Sequence, residues 1–366
     1  MKVDQITIEG FKSIKKSKIG LNNLNVLIGA NGAGKTNFIS FFKMLNEIYN
    51  QNLKLYTAKS GGASNVLYFG RKQTEVIKTS VIFGPNSYRF SLEATDEDEF
   101  VFNNESVTYH DQMYPVPLQN QLGAGHKETN LFKISKSFSN RTVIADYVIS
   151  ALKHWKVYHF HDTSVSAGMK ISCDINDNEV LKADASNLAA YLYMLKETQF
   201  NYYEHILNTV QLIAPFIKDF VLEPLKLNRN LIRLKWIHKD DSNAIFDITQ
   251  LSDGTLRTIC LITLLLQPNM PSTIIIDEPE LGLHPYAITL LSSLFKSVSK
   301  KQQLIVSTQS VPLIDNLEPE DIIVVDYYDK QSHFTRLSEE KLGDWLTEYS
   351  LGELWVKNVL GGKPRW

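Results

Sequence analysis

The chain of 366 residues is long enough to bury a large core, as one big domain or as two ordinary ones. Its 43% hydrophobic and 21% charged residues are ordinary for a soluble globular protein, and its net charge of -2 argues against a surface built wholly for nucleic acid. Cys173 and Cys260 form no CxxC pair, so neither a disulfide framework nor a zinc site is indicated. Because the N-terminus lacks a signal-peptide core and no apolar run approaches the ~18–20 residues that span a bilayer, we expect a cytoplasmic protein with no membrane partner.

In the first half of the chain the sequence predicts several strands and one clear helix. Apolar residues at helical spacing, among them Phe38, Phe42 and Leu45, indicate the helix. A turn is expected at Gly84-Pro85-Asn86. The predicted elements are strands at 3–9 and 24–28, a helix from Lys35 to about Tyr49, irregular chain at 50–75, strands within 76–110 and loop-rich chain at 111–140.

The second half alternates buried strands with helices, which is typical of an α/β domain with a helical sub-lobe. Asp184 is expected to cap the first helix of the sub-lobe. The predicted elements are a helix at 142–154, a strand at 155–161, helices within 184–214, strands at 231–238 and 244–249, a helix at 255–266, a strand at 272–278, a helix at 285–299, strands at 302–308 and 321–327, and a helical piece at 341–360.

The segment GANGAGKT, from Gly29 to Thr36, fits the P-loop pattern GxxxxGK[ST] between a predicted strand and a predicted helix. Its glycines permit turns that bring backbone N–H groups close to phosphate oxygens. In this pattern Lys35 reaches the β- and γ-phosphates, and the hydroxyl of Thr36 binds Mg²⁺. The alternative is a glycine-rich turn without a ligand. The predicted nucleotide-binding residues are Gly29, Asn31, Gly32, Ala33, Gly34, Lys35, Thr36 and Asn37.

A second segment, TIIIDEPE from Thr273 to Glu280, places two adjacent carboxylates after a β-branched run. That run predicts a central strand, and ligands of open α/β sheets bind at the carboxyl ends of the strands. We expect Asp277 to bind Mg²⁺ directly or through water, and Glu278 to orient or deprotonate the attacking water. A solvated turn is the alternative for an isolated Asp-Glu pair, but the P-loop in the same chain favours the catalytic interpretation.

A third segment, QLSDGTLRT from Gln250 to Thr258, has the form of a second phosphate-binding turn. Ser252 can cap a helix, Asp253 and Gly254 follow it, and the helix itself is apolar nearly all round. An ordinary capped core helix explains the same pattern, so the residues alone leave both interpretations open.

In this order, the P-loop, LSDGTLR and IIIDEPELGLHP resemble the ABC-type ATPase heads of the RecF, SMC and OLD (overcoming-lysogenization-defect) families. ITIEGFKSIKKSKI and NVLYFGRKQTEVIKTSVIF extend the resemblance over nearly the whole chain, which looks most like the compact, stand-alone AAA family ATPases of bacteria. The resemblance implies a P-loop NTPase of α/β class and ABC-ATPase type, with a mixed-sheet lobe, an antiparallel β subdomain and a helical lobe. It also implies ATP and Mg²⁺ as cofactors.

The same resemblance implies an ATP-dependent homodimer, in which the signature turn of one subunit covers the ATP held by the other. Ser252, Asp253 and Gly254 would then act in trans on a neighbour's γ-phosphate. Asp253 replaces the first glycine of the usual Ser-Gly-Gly signature and adds negative charge there. Gln309 takes the switch position that is often His, which makes it a second catalytic candidate, and Glu280 and His284 fall in the dimer loop.

Several residues stay open. No magnesium-sensing glutamine is convincing among Gln73, Gln112, Gln119 and Gln121, and Arg71 matches a basic residue that contacts phosphate or DNA in SMC-type heads. HFHDTS, from His159 to Ser164, has the form of a metal site but reads better as a strand end. An apolar stripe near the C-terminus is expected to pack on the core; it comprises Trp345, Leu346, Leu354, Trp355 and Leu360.

We expect one ABC-type ATPase domain over 1–366, without the coiled coil of SMC proteins or the nuclease domain of OLD proteins. Its nucleotide-binding lobe would cover about 1–162 and 270–340, its helical signature lobe about 163–269, and its C-terminal helical piece about 341–366. The expected function is an ATP-hydrolysing switch that controls a separately encoded effector, by family analogy in defence against phage. The alternative is a RecF-like DNA-binding repair ATPase, so nucleic acid stays open as a partner; a transporter subunit is disfavoured.

Overall fold

The computed structural model describes residues 1–110, 116–135, 141–343 and 345–362. Its strands form two six-stranded sheets and two small three-stranded sheets. In chain order the strands are β1 (Gln5–Phe11), β2 (Ile14–Gly20), β3 (Leu24–Ile28), β4 (Val76–Phe83), β5 (Asn86–Ala94), β6 (Phe100–Tyr109), β7 (Leu118–Gly123), β8 (Trp155–Tyr158), β9 (Cys173–Asp174), β10 (Ile217–Val221), β11 (Pro224–Leu225), β12 (Asn228–Ile232), β13 (Lys235–His238), β14 (Ile245–Asp247), β15 (Thr273–Asp277), β16 (Gln303–Thr308), β17 (Ile322–Tyr328) and β18 (Gln331–Arg336).

The α-helices cover the two large sheets and build the lobe between β8 and β15. In chain order they are α1 (Lys35–Tyr49), α2 (Leu53–Lys59), α3 (Ala63–Val66), α4 (Leu131–Ser135), α5 (Arg141–Lys153), α6 (Leu188–Thr198), α7 (Phe200–Ile213), α8 (Asp253–Leu266), α9 (Pro285–Ser299), α10 (Val311–Ile314), α11 (Glu339–Leu342), α12 (Trp345–Glu348) and α13 (Leu351–Val356).

The central sheet has the strand order β18-β17-β3-β16-β15-β8. Its strands run parallel except β18, which pairs antiparallel with β17 as a hairpin. β3, β15 and β16 are buried along their whole length, as strands covered on both faces must be. The second large sheet, β2-β1-β4-β5-β6-β7, is antiparallel throughout.

Side chains on the two faces of the central sheet enter two separate cores. Alternate residues point to opposite faces of a strand, so Leu27 packs with the antiparallel sheet, α1 and α5. Val26, its neighbour, packs with α6, α7, α8 and α9. The chain therefore has the mixed α/β architecture expected from its sequence, with the P-loop helix and the signature helix on opposite faces of one sheet.

The structure corrects several predictions about local elements. Residues 50–75 contain two short helices, α2 and α3, and β2 and β18 were not predicted. The predicted strand 231–238 is two strands, β12 and β13, that belong to different small sheets. α6 begins after Asn187, whereas the predicted cap Asp184 accepts a hydrogen bond from the backbone N–H of Ser186.

Candidate functional site

The candidate site lies at the carboxyl ends of three neighbouring parallel strands. β3 lies beside β16, with Ile28 opposite Thr308, and β16 lies beside β15, with Ser307 opposite Asp277. Because the register is in phase, the segments that follow these strands meet at one edge of the sheet. Those segments are the P-loop, the turn with Gln309 and the turn that begins at Glu278.

The P-loop is supported from behind by two serines that lie on other parts of the chain. The hydroxyl of Ser332, in β18, donates to the carbonyl of Ala33 at 2.6 Å and lies 2.7 Å from the hydroxyl of Ser13. Gly34 has a φ of +116°, and a Cβ there would collide with Ser332, so only glycine fits. The side chain of Asn37 donates to Ser13 at 2.7 Å, which places this predicted nucleotide ligand in the same support.

Lys35 is buried at the start of α1, with its ammonium inside the loop. Its Nζ donates to the carbonyls of Gly29 at 2.6 Å and Ala30 at 3.1 Å. Burial lowers the pKa of Lys35, and three nearby carboxylates oppose this shift. Those carboxylates are Glu278, Asp277 and Glu280. Lys35 thus lies within electrostatic reach of the acidic strand end.

Other predicted P-loop ligands face solvent. Asn31, Gly32 and Thr36 are exposed, whereas Ala33 and Gly34 are buried. Gly32 has a φ of +81° with open space around its Cα. The loop therefore has an open side, on which Gly32 and Thr36 are exposed.

Asp277 ends β15 and is almost fully buried. Its carboxylate accepts a hydrogen bond from the hydroxyl of Ser307 on the adjacent strand. Its backbone carbonyl accepts a hydrogen bond from Nε2 of His161 at 2.7 Å, so Nε2 carries a hydrogen. A carboxylate held at this edge, with the Thr36 hydroxyl from the P-loop, is the oxygen-donor set that Mg²⁺ prefers.

Glu278 follows immediately and has a φ of +42°, a conformation uncommon for residues other than glycine. Its backbone N–H donates to the carbonyl of Ser307 at 3.0 Å. Its Oε1 accepts a hydrogen bond from Nε2 of Gln309 at 2.5 Å. The backbone outlier and this bond together orient the carboxylate over the strand end.

Glu280 faces its own chain rather than solvent. Its Oε1 accepts the backbone N–H of Gln309 at 2.8 Å, and its Oε2 is buried without a hydrogen-bond partner among the described residues. Burial raises the pKa of Glu280. Glu280 thus positions the backbone of Gln309, and the side chain of Gln309 contacts Glu278.

The signature turn lies at the start of α8. Ser252 is exposed, and its hydroxyl accepts the backbone N–H of Thr255 at 3.2 Å as an N-cap. Oδ1 of Asp253 accepts a hydrogen bond from the nearly buried ammonium of Lys170 at 2.9 Å. That ammonium also donates to the carbonyl of Thr163 at 2.6 Å. The hydrogen bond from Lys170 lowers the pKa of Asp253, so the extra carboxylate of this signature carries its own counter-charge.

Arg257 joins the signature helix to the site of the same chain. Its guanidinium donates to the carbonyls of Leu281 at 2.7 Å, His161 at 2.8 Å and Phe160 at 3.1 Å. Gly254 lies against the carbonyl of Gly282, where a Cβ would collide. The start of α8, the turn after Glu278 and the segment after β8 are therefore held as one unit.

The predicted site residues divide into two groups in space. The P-loop, Asp277, Glu278 and Gln309 meet at one strand edge, whereas the signature turn begins a helix on the sheet face opposite to α1. His284 is exposed, and its Nδ1 accepts the backbone N–H of Tyr286 at 3.3 Å to cap α9.

The segment His159–Ser164 leaves the edge strand β8 beside Asp277. His159 lies in surroundings that lower its pKa to about 4, through burial and the nearby charge of Lys43. Within the described ranges, no group of three or more His, Cys, Asp or Glu side chains is placed to hold a metal ion by itself. A carboxylate that binds Mg²⁺ together with nucleotide phosphates needs no such group.

The remaining open residues have varied places. Arg71 donates to the carbonyl of Thr95 at 2.9 Å and to Oδ1 of Asp96 at 2.8 Å. Gln119 and Gln121 lie on β7, at the edge of the antiparallel sheet, and Gln112 is outside the described residues.

Sequence reasoning did not assign site contacts to His161, Lys170, Arg257, Ser13 or Ser332. Arg257 had a usable signal, because it is the only basic residue in the largely buried α8 and a charge there requires partners. Ser13 and Ser332 had none, since they belong to a turn and an edge strand without an apolar pattern.

Comparisons with known proteins give the family and the fold of the chain. A family model described as "AAA domain, putative AbiEii toxin, Type IV TA system" matches residues 24–316. No curated protein sequence is significantly similar to the chain.

A solved structure of an SMC head shares the fold, and two further SMC heads are similar to the chain. An SMC head bound to the C-terminal winged-helix domain of ScpA is 17% identical, with a TM-score of 0.61 over 93% of this chain and 99% of that one. The SMC head of Thermotoga maritima is 13% identical, with a TM-score of 0.46 over 92% and 100% of the two chains. An SMC head bound to a ScpA domain from Pyrococcus furiosus is 17% identical, with a TM-score of 0.49 over 94% and 98%.

Proposed function

Since the chain belongs to the family described as "AAA domain, putative AbiEii toxin, Type IV TA system" and is an ABC-type ATPase head of the SMC- and RecF-like superfamily, we propose that it binds ATP with Mg²⁺ and hydrolyses it. One observation carries the proposal. Three adjacent strand ends bring the P-loop lysine, Asp277 and the Glu278–Gln309 pair to one edge of the central sheet. That set combines phosphate binding, metal binding and a base for water.

Lys35 and the P-loop N–H groups would hold the phosphates, and Thr36 and Asp277 would hold Mg²⁺. When Mg²⁺ is bound, it neutralises phosphate charge. Glu278 would accept the proton of the attacking water. One of its carboxylate oxygens is engaged by Gln309, which leaves the other to face that water.

We further propose that the active form is a homodimer closed by two ATP molecules. The exposed Ser252 and the start of α8 would face the γ-phosphate held by the P-loop of the partner. The ion pair between Asp253 and Lys170 supports this, because it removes the repulsion that an unpaired carboxylate would exert on phosphate.

The dimer would act as a switch for a separately encoded effector, in defence against phage. The family description names a toxin system, and one SMC head of this fold is bound to a winged-helix domain, which supports a protein partner. The RecF-like alternative has one favourable observation: Lys18, Lys78 and Arg89 are exposed on neighbouring or nearby strands of the antiparallel sheet. ATPase activity stimulated by DNA would favour that alternative.

Glu278→Gln tests the hydrolytic assignment. The amide cannot accept the proton, so ATP should still bind while turnover falls by at least about 10²-fold. The variant should accumulate as an ATP-dependent dimer in size-exclusion chromatography. Steady-state ATPase assays and calorimetric ATP binding measure the two quantities.

Two variants control this experiment. Lys35→Ala should lose ATP binding itself, because the phosphate charge is then uncompensated, and Glu340→Gln changes an exposed glutamate in α11 and should leave both quantities unchanged. Unchanged turnover of Glu278→Gln would remove its catalytic role, and equal ATP affinity of Lys35→Ala would remove the P-loop assignment.

A further inference from the structure

The C-terminal segment returns to the P-loop. We call residues 351–362 the C-terminal strap. Its helix α13 buries Leu351, Leu354 and Trp355 in the same core as α8 and α9. Leu354 and Trp355 belong to the predicted apolar stripe, whereas Leu351 was not predicted to pack there. Trp345, in α12, departs from that prediction because 51% of it is exposed.

The strap ends in a turn of two glycines that lies on the first glycine of the P-loop. Gly361 and Gly362 have φ values of +82° and +78°. A Cβ at Gly362 would lie 3.2 Å from the Cα of Gly29 and 3.2 Å from Cγ1 of Val324. A side chain at Gly362 would therefore be strained by the positive φ and would push these neighbours by a few tenths of an ångström, so the backbone of the strap lies close to the P-loop.

Asp326 fixes this turn. It follows Val325 in β17, the neighbour of the P-loop strand β3, and its Oδ1 accepts the backbone N–H of Gly362 at 2.8 Å. A Cβ at Gly361 would lie 2.9 Å from Oδ2 of the same carboxylate. Asp326 thus holds Gly362 by a hydrogen bond and lies close to Gly361, which keeps the turn beside β17 and the end of β3.

The other end of the strap is attached close to the edge of the central sheet at which the candidate site residues meet. The backbone N–H of Gly352 donates to Oδ1 of Asp315 at 2.7 Å. Asp315 is the C-cap of α10, the helix that follows Gln309 and Ser310. The strap therefore spans from the exit of β16 to the exit of β3, the two strand ends that carry Gln309 and the P-loop.

Trp355 closes the space beneath the turn. Its indole N–H is buried and has no hydrogen-bond partner among the described residues. A Cβ at Gly362 would lie 3.3 Å from that nitrogen. If the glycine turn moves, it displaces the buried side chain of Trp355 on one side and Gly29 on the other.

We propose that the Gly361–Gly362 turn is part of the nucleotide-binding site, with Asp326 as its positioning residue, so that docking of the C-terminal strap and binding of ATP favour each other. The proposal rests on the proposed ATP binding at the P-loop. The docked turn supports the conformation of Gly29 in which the loop cradles phosphate, and coupling between two such events is reciprocal. ATP would therefore order the strap. Nucleotide binding at the P-loop would in this way change the state of the chain's C-terminal region.

The first test perturbs the turn and measures nucleotide affinity. Gly362→Ala should weaken binding of a slowly hydrolysed ATP analogue by at least about fivefold, the lower range of such couplings. Gly125→Ala is the matched control, because Gly125 has a φ of +79° but nothing near its Cα. Asp326→Ala should weaken the affinity for the analogue as Gly362→Ala does. Asp326→Asn keeps a hydrogen-bond acceptor and should retain the wild-type affinity. Equal affinity of Gly362→Ala and the wild type, with both folded, would overturn the proposal.

The second test observes the strap directly by hydrogen exchange. The analogue should slow amide exchange in peptides covering 351–362 of the wild type, and should leave it unchanged in Lys35→Ala. Protection of the P-loop without protection of the strap would overturn the inference and leave ATP binding intact. Failure of the wild type to bind the analogue would instead overturn the proposed function, and the inference with it.

Discussion

The Asp253–Lys170 pair explains how a carboxylate is accommodated in a turn that would approach phosphate. The carboxylate of Asp253 is largely exposed, whereas Lys170 is almost fully buried and bonded to a carbonyl. A buried ammonium that has a fixed carbonyl partner keeps its position when the surface is covered. The turn and Lys170 are therefore neutral together, as an uncharged signature turn would be.

Removal of Lys170 should expose that charge. Lys170→Met keeps the length of the side chain but leaves Asp253 unpaired, so ATP-dependent dimerisation should weaken by about tenfold or more, because a like charge would face the phosphates. The double variant Lys170→Met/Asp253→Gly should recover dimerisation. Sedimentation in the presence of ATP, in the Glu278→Gln background, measures this.

The exposed Lys226 offers a control through Lys226→Met. Because Lys170 is buried, thermal unfolding of each variant separates loss of fold from loss of closure. Failure of the double variant to recover, with the fold intact, would count against an electrostatic role for Lys170.

At the scale of elements, one side chain connects α8 to the turn after Glu278 and to the segment after β8. Arg257 holds the carbonyls of Leu281 and His161, and His161 in turn holds the carbonyl of Asp277. A force on the start of α8 therefore reaches the carboxylates of the same chain. In a dimer closed through the signature turns, this would let one ATP site influence the other.

Arg257→Met should reduce kcat by roughly tenfold or more with a smaller effect on ATP affinity, because the turn after Glu278 loses its alignment. Arg257→Lys retains a donor and should be intermediate. Steady-state kinetics and calorimetry separate the two effects, and a thermal shift reports the cost of the carbonyls left without a donor. A full kcat in a folded Arg257→Met variant would show that the connection is structural only.

The sequence was most informative about fully buried strands and about helices with one continuous apolar face. β3, β15, α1 and α9 were predicted at nearly their observed bounds, because a continuous apolar run or a helical apolar face is required there. The edge strands β2 and β18 were missed because IKKSKIG and QSHFTR are half exposed and mostly polar. Ser332 belongs to β18, so the support behind the P-loop was missed together with it.

Long-range contacts of the site were beyond sequence reasoning for a related cause. A pattern of residues predicts the period of an element but carries no information on which distant side chain reaches it. Lys170 and Asp326 look like ordinary surface charges in sequence, and only their positions beside Asp253 and Gly362 give them roles.

At the scale of the molecule, the proposed dimer would place each ATP between two chains, and this can be tested by mixing variants. Lys35→Ala lacks a usable P-loop but keeps the signature, whereas Ser252→Arg has the reverse defect. Each alone should be inactive. A mixed dimer contains one intact composite site, so mixing should restore up to about half of the activity per heterodimer if the sites act independently.

If the two sites must act together, activity stays low while ATP-induced heterodimers still form, so both quantities are measured. Full ATPase activity of Ser252→Arg alone would contradict the trans model, because a bulky cation at a phosphate-facing turn would not be harmless. Ser242→Arg is the control, because it makes the same substitution at an exposed serine outside the signature turn.

The position of β3 in the central sheet also has a consequence for how the protein is made. This strand emerges early from the ribosome, yet its two partners in the sheet are β16 and β17, with Leu24 beside Leu304 and Val26 beside Ile322. Until those late strands are synthesised, a buried and mostly apolar strand and the loop after it have no partner on either side. Such non-local pairing slows folding and leaves nascent chains open to aggregation. The nucleotide cradle therefore cannot assemble before most of the polypeptide has been translated, and chaperones are expected to engage the nascent chain during that interval.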